Sequence, residues 1–456
     1  MEPGPILMWM ALPRTMRLVV VAGLVLAGVA IVALLPSREP RRDVTPLHSR
    51  ATAWLRRVGR YCDAPSRGAE GTLPVEGAVL LHVALLFRHG DRSSIHALPN
   101  MRGNEHHWSC RLGPTESAAL RASAARIEVR SAHGGERLSR DFESRLASDA
   151  PAAAARTCAP GQLTARGVSQ HIALGAHLHA AYSPRGILDG EIYARSTDYR
   201  RTLISAAALL STLVPAPRAV RLEVEEDEAN ETMLGIGAKR TSKSISERNG
   251  DSLGGELLVP GRCARADRLQ AEERGAFARR ASRDGEGAAV ALGAVAERFG
   301  RTVRLKSVVE ITDTLFAAAC HGFPLPCAAA PGAPPLVVVQ RREGQSMRGG
   351  ADSTADRCVD QSLAAHLAAS SDADYCSRFA GTDGGAASSK LSWQPFLAEL
   401  WRSAGLAIAA DSGGTRGGAR GRSNAERAPA GLALYSGHDT VIAPVLGAFG
   451  LSELCG

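Results

Sequence analysis

Lysine is almost missing from this chain. Only four of its 54 basic residues are Lys (Lys239, Lys243, Lys306 and Lys390), so the net charge of +8 is carried by arginine. Aromatic residues make up 4% of the 456. No CxxC pair with zinc-ligand spacing occurs, which removes the common structural zinc modules. No internal repeat is visible, which removes solenoids and propellers. RRM, KH, zinc-finger and basic-zipper patterns are also absent, so nucleic acid is the weakest of the anionic partners that an arginine excess would suit. A membrane surface, or a phosphate or sulfate ligand, suits it better. The apolar fraction of 45% and the charged fraction of 22% are ordinary for a globular protein. A chain this long buries a core without needing a metal to hold it.

Long apolar runs are scarce too, with one exception. Leu18 to Leu35 is uninterrupted, preceded by Arg14 and Arg17 and followed by Arg38, Arg41 and Arg42. Its length predicts a membrane-spanning signal anchor, with a cleaved signal peptide as the alternative. Residues 1–17 are then a short tail, and 36–75, with their Pro, Arg and Ser, a stem. Nine cysteines follow the run and none precedes it, as expected for disulfides in an oxidising lumen. Asn230-Glu231-Thr232 is a single N-glycosylation sequon, with Asn230 as the acceptor. An odd cysteine count leaves one thiol over, and Cys455, next to the end, is the natural candidate.

Ala78 to Phe87 is apolar apart from His82, the pattern of a strand buried on both faces. A helix is predicted over 162–182, with Thr164 as its cap. A short strand at 191–194 runs into a helix at 201–214, and a strand at 432–436 into a helix at 440–449. Strand followed by helix, repeated, predicts a mostly parallel α/β sheet flanked by helices. That core is assigned to 76–215 and 386–456. Between them, 216–385 shows helical pieces such as 265–299 and no long strand pattern, so it reads as an inserted, mainly helical cap. Residues 92–157 give no clear pattern, and 411–429 read as a flexible basic loop.

Three strand ends carry arginine or histidine. Arg88-His89-Gly90-Asp91-Arg92 follows the first buried strand directly. In an open α/β sheet, ligands bind beyond the carboxyl ends of the strands. Gly90 allows a tight turn and close approach of the backbone. Guanidinium forks match phosphate oxygens, and an imidazole attacks phosphorus or moves protons. Arg195 to Thr202 sits at a second strand-to-helix junction, with Arg201 at the helix start, where free amides favour an anion. Ser436-Gly437-His438-Asp439-Thr440 repeats the pattern at a third. Taken singly, each segment is a capped helix or a turn with solvated charges. Together they would converge on one rim of one sheet. His106-His107 stands alone in a polar loop and reads as solvated; no metal site is expected.

The segments RHGDR, GQLTARGVSQH (161–171), IYARSTDYRRTLISA (192–206) and ALYSGHDTVIAPVLGAFGL (433–451) resemble, in order and spacing, the histidine acid phosphatases, the second branch of the histidine phosphatase superfamily. Arg92, three residues after the histidine, distinguishes this branch from the other. The resemblance implies the acid-phosphatase α/β fold and a phosphomonoesterase that needs no cofactor. His89 would be the nucleophile forming a phosphohistidine. Arg88, Arg92, Arg201 and His438 would bind the phosphoryl oxygens, and Asp439 would protonate the leaving alcohol. An acidic optimum, or a local rise in the Asp439 pKa, is then expected, since a free Asp carboxyl is ionised near neutrality. Tyr61-Cys62 before the first strand, TDTLFAAACHGFPLPC (312–327) and CVDQSLAAHL (358–367), together with the anchor, resemble a type II Golgi membrane protein of this family. Its substrate would be a phosphorylated sugar or glycan, 2-phosphoxylose of the glycosaminoglycan–protein linkage region. Broad-specificity lysosomal or secreted acid phosphatases and inositol-phosphate phosphatases are the enzymatic alternatives. A catalytically silent, membrane-tethered binder of anionic glycans is the alternative of another class. Two departures stand out: Ser93-Ser94 replaces a proline common after the second arginine, and the chain stops soon after the His-Asp segment, as if cut short at its C-terminus.

Overall fold

The structure, a computed structural model, describes residues 47–62, 70, 78–95, 101–102, 108, 110–132, 137, 158–225, 263–283, 293–297, 308–328, 358–411 and 431–451. Its helices are α1 (Leu47–Cys62), α2 (Pro114–Ala124), α3 (Ala165–Tyr182), α4 (Arg200–Leu213), α5 (Ala264–Arg283), α6 (Val308–Cys320), α7 (Gln361–Phe379), α8 (Asp383–Ser392), α9 (Gln394–Asp411) and α10 (Asp439–Ala448). The strands are β1 (Val83–Arg88), β2 (Met101–Arg102), β3 (Ile127–Ser131), β4 (Ile192–Thr197), β5 (Val220–Glu225), β6 (Cys327–Ala328) and β7 (Leu432–Gly437).

Five strands form one parallel sheet in the order β1-β7-β4-β5-β3, while β2 and β6 make a short antiparallel pair. Side chains alternate between the two faces of a strand. In β1, Val83, Leu85 and Phe87 join a core that includes Leu178 of α3 and Leu203, Leu209 and Leu210 of α4. Ala84 and Leu86 face the other way, with Tyr435, Phe396 and Leu400 of α9, and Val441 and Val445 of α10. Burial on both faces is why the strand reads as a continuous apolar run. A third cluster joins Trp54 of α1 to Ile311 and Leu315 of α6 and Leu363 and Leu367 of α7.

Register decides where the chemistry sits. Arg88 lies level with Gly437, and Ser436 with Ser196. Three carboxyl ends therefore finish side by side on one rim, about 5 Å from strand to strand. The residues that follow them, His89, His438 and the start of α4, are delivered to a common place.

Several expectations need correction. The segment beginning at 216 is not helical at its start, because β5 lies inside the main sheet between β4 and β3. Its sequence, VRLEVE, looks exposed; Glu223 and Glu225 are nevertheless buried, the latter paired with Arg195 Nε at 2.6 Å. A buried ion pair thus hides a strand from a hydropathy reading. Residues 92–157 hold a further sheet strand, β3, and α2. Residues 47–62, read as stem, form α1, whose Trp54 is only 2% exposed. The helix is tied covalently by Cys62–Cys320. The first strand is ordered from Val83, not from Ala78.

Disulfides also join Cys110 to Cys158 and Cys327 to Cys358, and Cys376 is disulfide-bonded as well. The free cysteine among the described residues is Cys263. Residues 18–35, His106, His107, Asn230, 412–429 and Cys455 lie outside the described residues. Among the described residues no helix is long and apolar enough to cross a membrane.

Candidate active site

The 88–93 loop is held by its backbone, almost amide by amide. His89 N–H donates to Gly437 O at 3.1 Å, and so extends the sheet ladder by one step. Gly90 N–H donates to Ser205 Oγ of α4 at 3.0 Å, and Asp91 N–H to Gln170 Oε1 of α3 at 2.8 Å. Asp91 O accepts from Thr164 N, and Ser93 N–H donates to Gln162 O. Gly90 packs so closely that a Cβ there would stand 2.4 Å from Gly167 O, so no other residue fits. The 161–171 motif is thereby explained: Gln162, Thr164, Gly167 and Gln170 are the loop's supports. Thr164 also caps α3, its side chain accepting from Gly167 N. Because the loop's amides are committed to the fold, an anion at this rim would be met mainly by side chains, unlike the amide cradle of a P-loop.

His89 is 3% exposed and its Nδ1 lies 2.8 Å from Gly90 O. That contact requires Nδ1–H as donor, which leaves Nε2 with a free lone pair. Burial pushes the His89 pKa well down, and Arg88, Arg201, His438 and Arg92 add to the effect. The ring is therefore neutral, as a nucleophile must be. The His438 ring stands edge-on, 5.4 Å away centroid to centroid.

Arg88, Arg92 and Arg201 all converge here, and in each the Nε–H is buried without a hydrogen-bond partner. Arg88 Nε lies 3.2 Å from Asp439 Oδ2 as an ion pair without hydrogen-bond alignment. Burial opposes the charge on Arg88, but Tyr61 and Asp439 outweigh it and hold the guanidinium charged. Arg201 stacks over the Tyr199 ring at 4.4 Å. Its pKa is lowered to about 10, by burial first and then by Arg92 beside it. Three guanidiniums crowded together at a buried rim, with donors unsatisfied, are costly unless an anion joins them.

His438 stands at the N-terminal boundary of α10 without capping it through its side chain, and Asp439 is the helix's first residue. Thr202 Oγ1 donates to the Thr197 and Tyr199 carbonyls, so it accepts from Thr197 Oγ1, which in turn accepts from His438 Nε2–H at 3.2 Å. Burial, then Arg201, lower the His438 pKa to about 3, so this ring too is neutral. The Asp439 side chain is 49% exposed. The protein packed around its inner half would raise its pKa, but Arg88 and Arg92 prevail and hold the carboxyl below the usual range. The expected local rise is thus absent, and the carboxyl is held down instead.

The structure therefore brings together Arg88, His89, Arg92, Arg201, His438 and Asp439. Arg195, in the second motif, points elsewhere: it is buried in the pair with Glu225. Reading the sequence quoted Tyr61 and the 312–327 segment only for their resemblance and gave no site role to Asp313 of α6, which binds Arg92 through two hydrogen bonds, or to Tyr61, whose ring lies 5.3 Å from the Arg88 guanidinium. Neither carries a local signal, because each contact joins segments far apart in the chain. Among the described residues no cluster of His, Cys, Asp and Glu is arranged to hold a metal.

Residues 79–275 match the family model of the histidine phosphatase superfamily (branch 2). Over those residues the chain is similar to that superfamily. It is 29% identical over 265 residues to lysosomal acid phosphatase of Bos taurus, which covers 56% of this chain and 47% of that protein. It is 30% identical over 164 residues to 2-phosphoxylose phosphatase 1 of Mus musculus, covering 34% and 33%. Counting factor 60 of Dictyostelium discoideum is 30% identical over 165 residues, covering 34% and 36%. The chain thus spans about a third to a half of the length of these curated relatives. Among solved structures, the phytase of Klebsiella sp ASR1 overlaps 79% of this chain and 71% of its own with a TM-score of 0.37 at 14% identity, too low to add to the fold.

Proposed function

We propose that this chain is a histidine phosphatase that hydrolyses phosphate monoesters through a phosphohistidine at His89. One arrangement carries the reading: the His89 lone pair at Nε2, locked in place by Gly90 O, amid three arginines with unsatisfied buried Nε–H groups. A phosphate dianion repels nucleophiles, so a cationic cup has to neutralise its oxygens while charge shifts.

Nε2 attacks phosphorus, the P–O bond to the alcohol breaks, and Asp439 gives its proton to the departing oxygen. Water then attacks the phosphohistidine. Asp439 takes the proton from that water, the P–N bond breaks and orthophosphate leaves. Bound dianion draws the arginines toward itself and adds negative charge beside Asp439, which raises the carboxyl pKa into a useful range. The same charge favours a proton on His438, whose second ring nitrogen then becomes a donor. Helices α1, α6 and α7, which share one apolar cluster, would cap the cup from the side of Asp313.

The substrate reading is a phosphorylated sugar or glycan, 2-phosphoxylose in a glycosaminoglycan linker, handled by a lumenal domain anchored at 18–35. The 312–327 and 358–367 segments and the 2-phosphoxylose phosphatase relative support it. The longer match to lysosomal acid phosphatase favours a second reading, a broad acid phosphatase. Purified protein is expected to release phosphate from 4-nitrophenyl phosphate and to carry, after acid quench, an acid-labile, alkali-stable phosphoryl group. Comparable rates on aryl phosphate and phosphoxylosyl glycan would favour the broad enzyme. Phosphate binding without turnover would leave a silent binder.

Arg201→Ala tests the cup more narrowly. Losing a charge-assisted hydrogen bond should weaken inhibition by free phosphate by roughly 1.5–3 kcal/mol, about ten- to a hundred-fold in Ki. An unchanged Ki would place Arg201 outside the site.

A further inference from the structure

A guanidinium has five N–H donors. In Arg92 three are committed: Nη1 donates to Asp313 Oδ2 at 3.2 Å and to Ser93 O at 3.1 Å, and Nη2 donates to Asp313 Oδ1 at 2.7 Å. Asp313 therefore grips the Nη1–Nη2 edge. The donors left are Nε–H, buried without a partner, and the second Nη2–H beside it. These two share the other edge, the pair that makes a bidentate contact with an oxyanion. We infer that Asp313 is a positioning residue, holding Arg92 by its far edge so that the Nε–Nη2 edge faces the transferring phosphoryl group.

Asp313 is fit for this because α6 is fixed to the same loop at other points. Thr314 Oγ1 lies 3.1 Å from Ser94 Oγ, and His321 Nε2 lies 2.5 Å from Asp91 Oδ2. The Cys62–Cys320 bridge ties the end of α6 to α1, and Arg166 of α3 donates to Cys320 O. Helix α6 and His321 just past its end, remote in sequence, thus hold residues 91, 92 and 94 together. The Asp313 carboxylate also lowers the net positive charge of the cup, so it weakens simple attraction for anions. It gives up ground-state binding and gains a fixed direction, which matters most in the transition state.

The inference rests on the phosphatase reading, and the test separates the two. Steady-state kinetics on 4-nitrophenyl phosphate, with inorganic phosphate as inhibitor, would compare wild type, Asp313→Asn, Arg92→Ala and the double variant. Asp313→Asn should lower kcat by about ten- to a hundred-fold while the phosphate Ki moves less than about threefold. In the Arg92→Ala background the same substitution should add less than about threefold, since Asp313 acts through Arg92. Asp313→Glu, which keeps the charge but moves the guanidinium by about a methylene, should show an intermediate loss and covers the case of a poorly folded Asn variant. An Asp313→Glu enzyme equal to wild type, or an Asn substitution costing the same factor with and without Arg92, would overturn the inference alone. An inactive wild type would overturn the phosphatase reading and this inference with it.

Discussion

His89→Ala should reduce turnover of any phosphate monoester by at least about 10⁴-fold, because it removes the atom proposed to form the covalent intermediate. The protein should still fold. The His89 side chain makes one hydrogen bond, to Gly90 O, whereas the loop backbone is held by Gly437, Ser205, Gln170 and Gln162. A ring lost from a buried site costs a few kcal/mol through the cavity it leaves. The backbone ties and the covalent bridge to α1 remain. Phosphate should also still bind, since none of the three guanidiniums depends on the ring. The expected result is thus a folded, phosphate-binding protein with no turnover and no acid-labile phosphoryl group. Retention of more than a few per cent of activity would remove His89 as nucleophile and reassign the covalent step.

How far the cup could be read from sequence follows from where its contacts come from. Arg88, His89, Arg201, His438 and Asp439 each end or follow a strand that announces itself by an apolar run or a strand-to-helix change. Register then carries them to one rim without help from other segments. Thr164 was legible for the same reason, being a cap that acts within a few residues. Asp313 was not: its partner lies 221 positions away and its helix offers only an apolar face broken by an acid. Tyr61 likewise acquires its place beside Arg88 only because α1 packs against α6. Strand β5 was hidden by charges that the sheet buries against Arg195 and Tyr193. Local pattern finds elements whose polarity matches their environment, and it fails where a tertiary pair neutralises a buried charge.

Asp439→Asn should separate the two halves of the chemistry. With a good leaving group such as 4-nitrophenolate, departure needs little protonation, and the loss should be modest. With a sugar or alkyl alcohol the alkoxide must be protonated as it leaves, and kcat should fall by about 10²–10⁴-fold, the range for losing a general acid. The pH profile makes the sign explicit. The group works protonated, so activity falls as pH rises through its pKa. Arg88 and Arg92 hold that pKa low in the free enzyme, which places the alkaline limb of kcat/KM far to the acid side. In the substrate complex the phosphate competes for the same arginines, so the corresponding limb of kcat should lie at higher pH. His89, already neutral because its pKa is pushed well down, imposes no acid limb until much lower pH. A carboxamide at this position cannot titrate, so the limb due to the Asp439 carboxyl should vanish in the variant. The substrate's own second ionisation, near pH 6, should persist in both enzymes. Equal slowing of aryl and alkyl phosphates, or alkaline limbs that coincide in kcat and kcat/KM, would show that the proton comes from elsewhere.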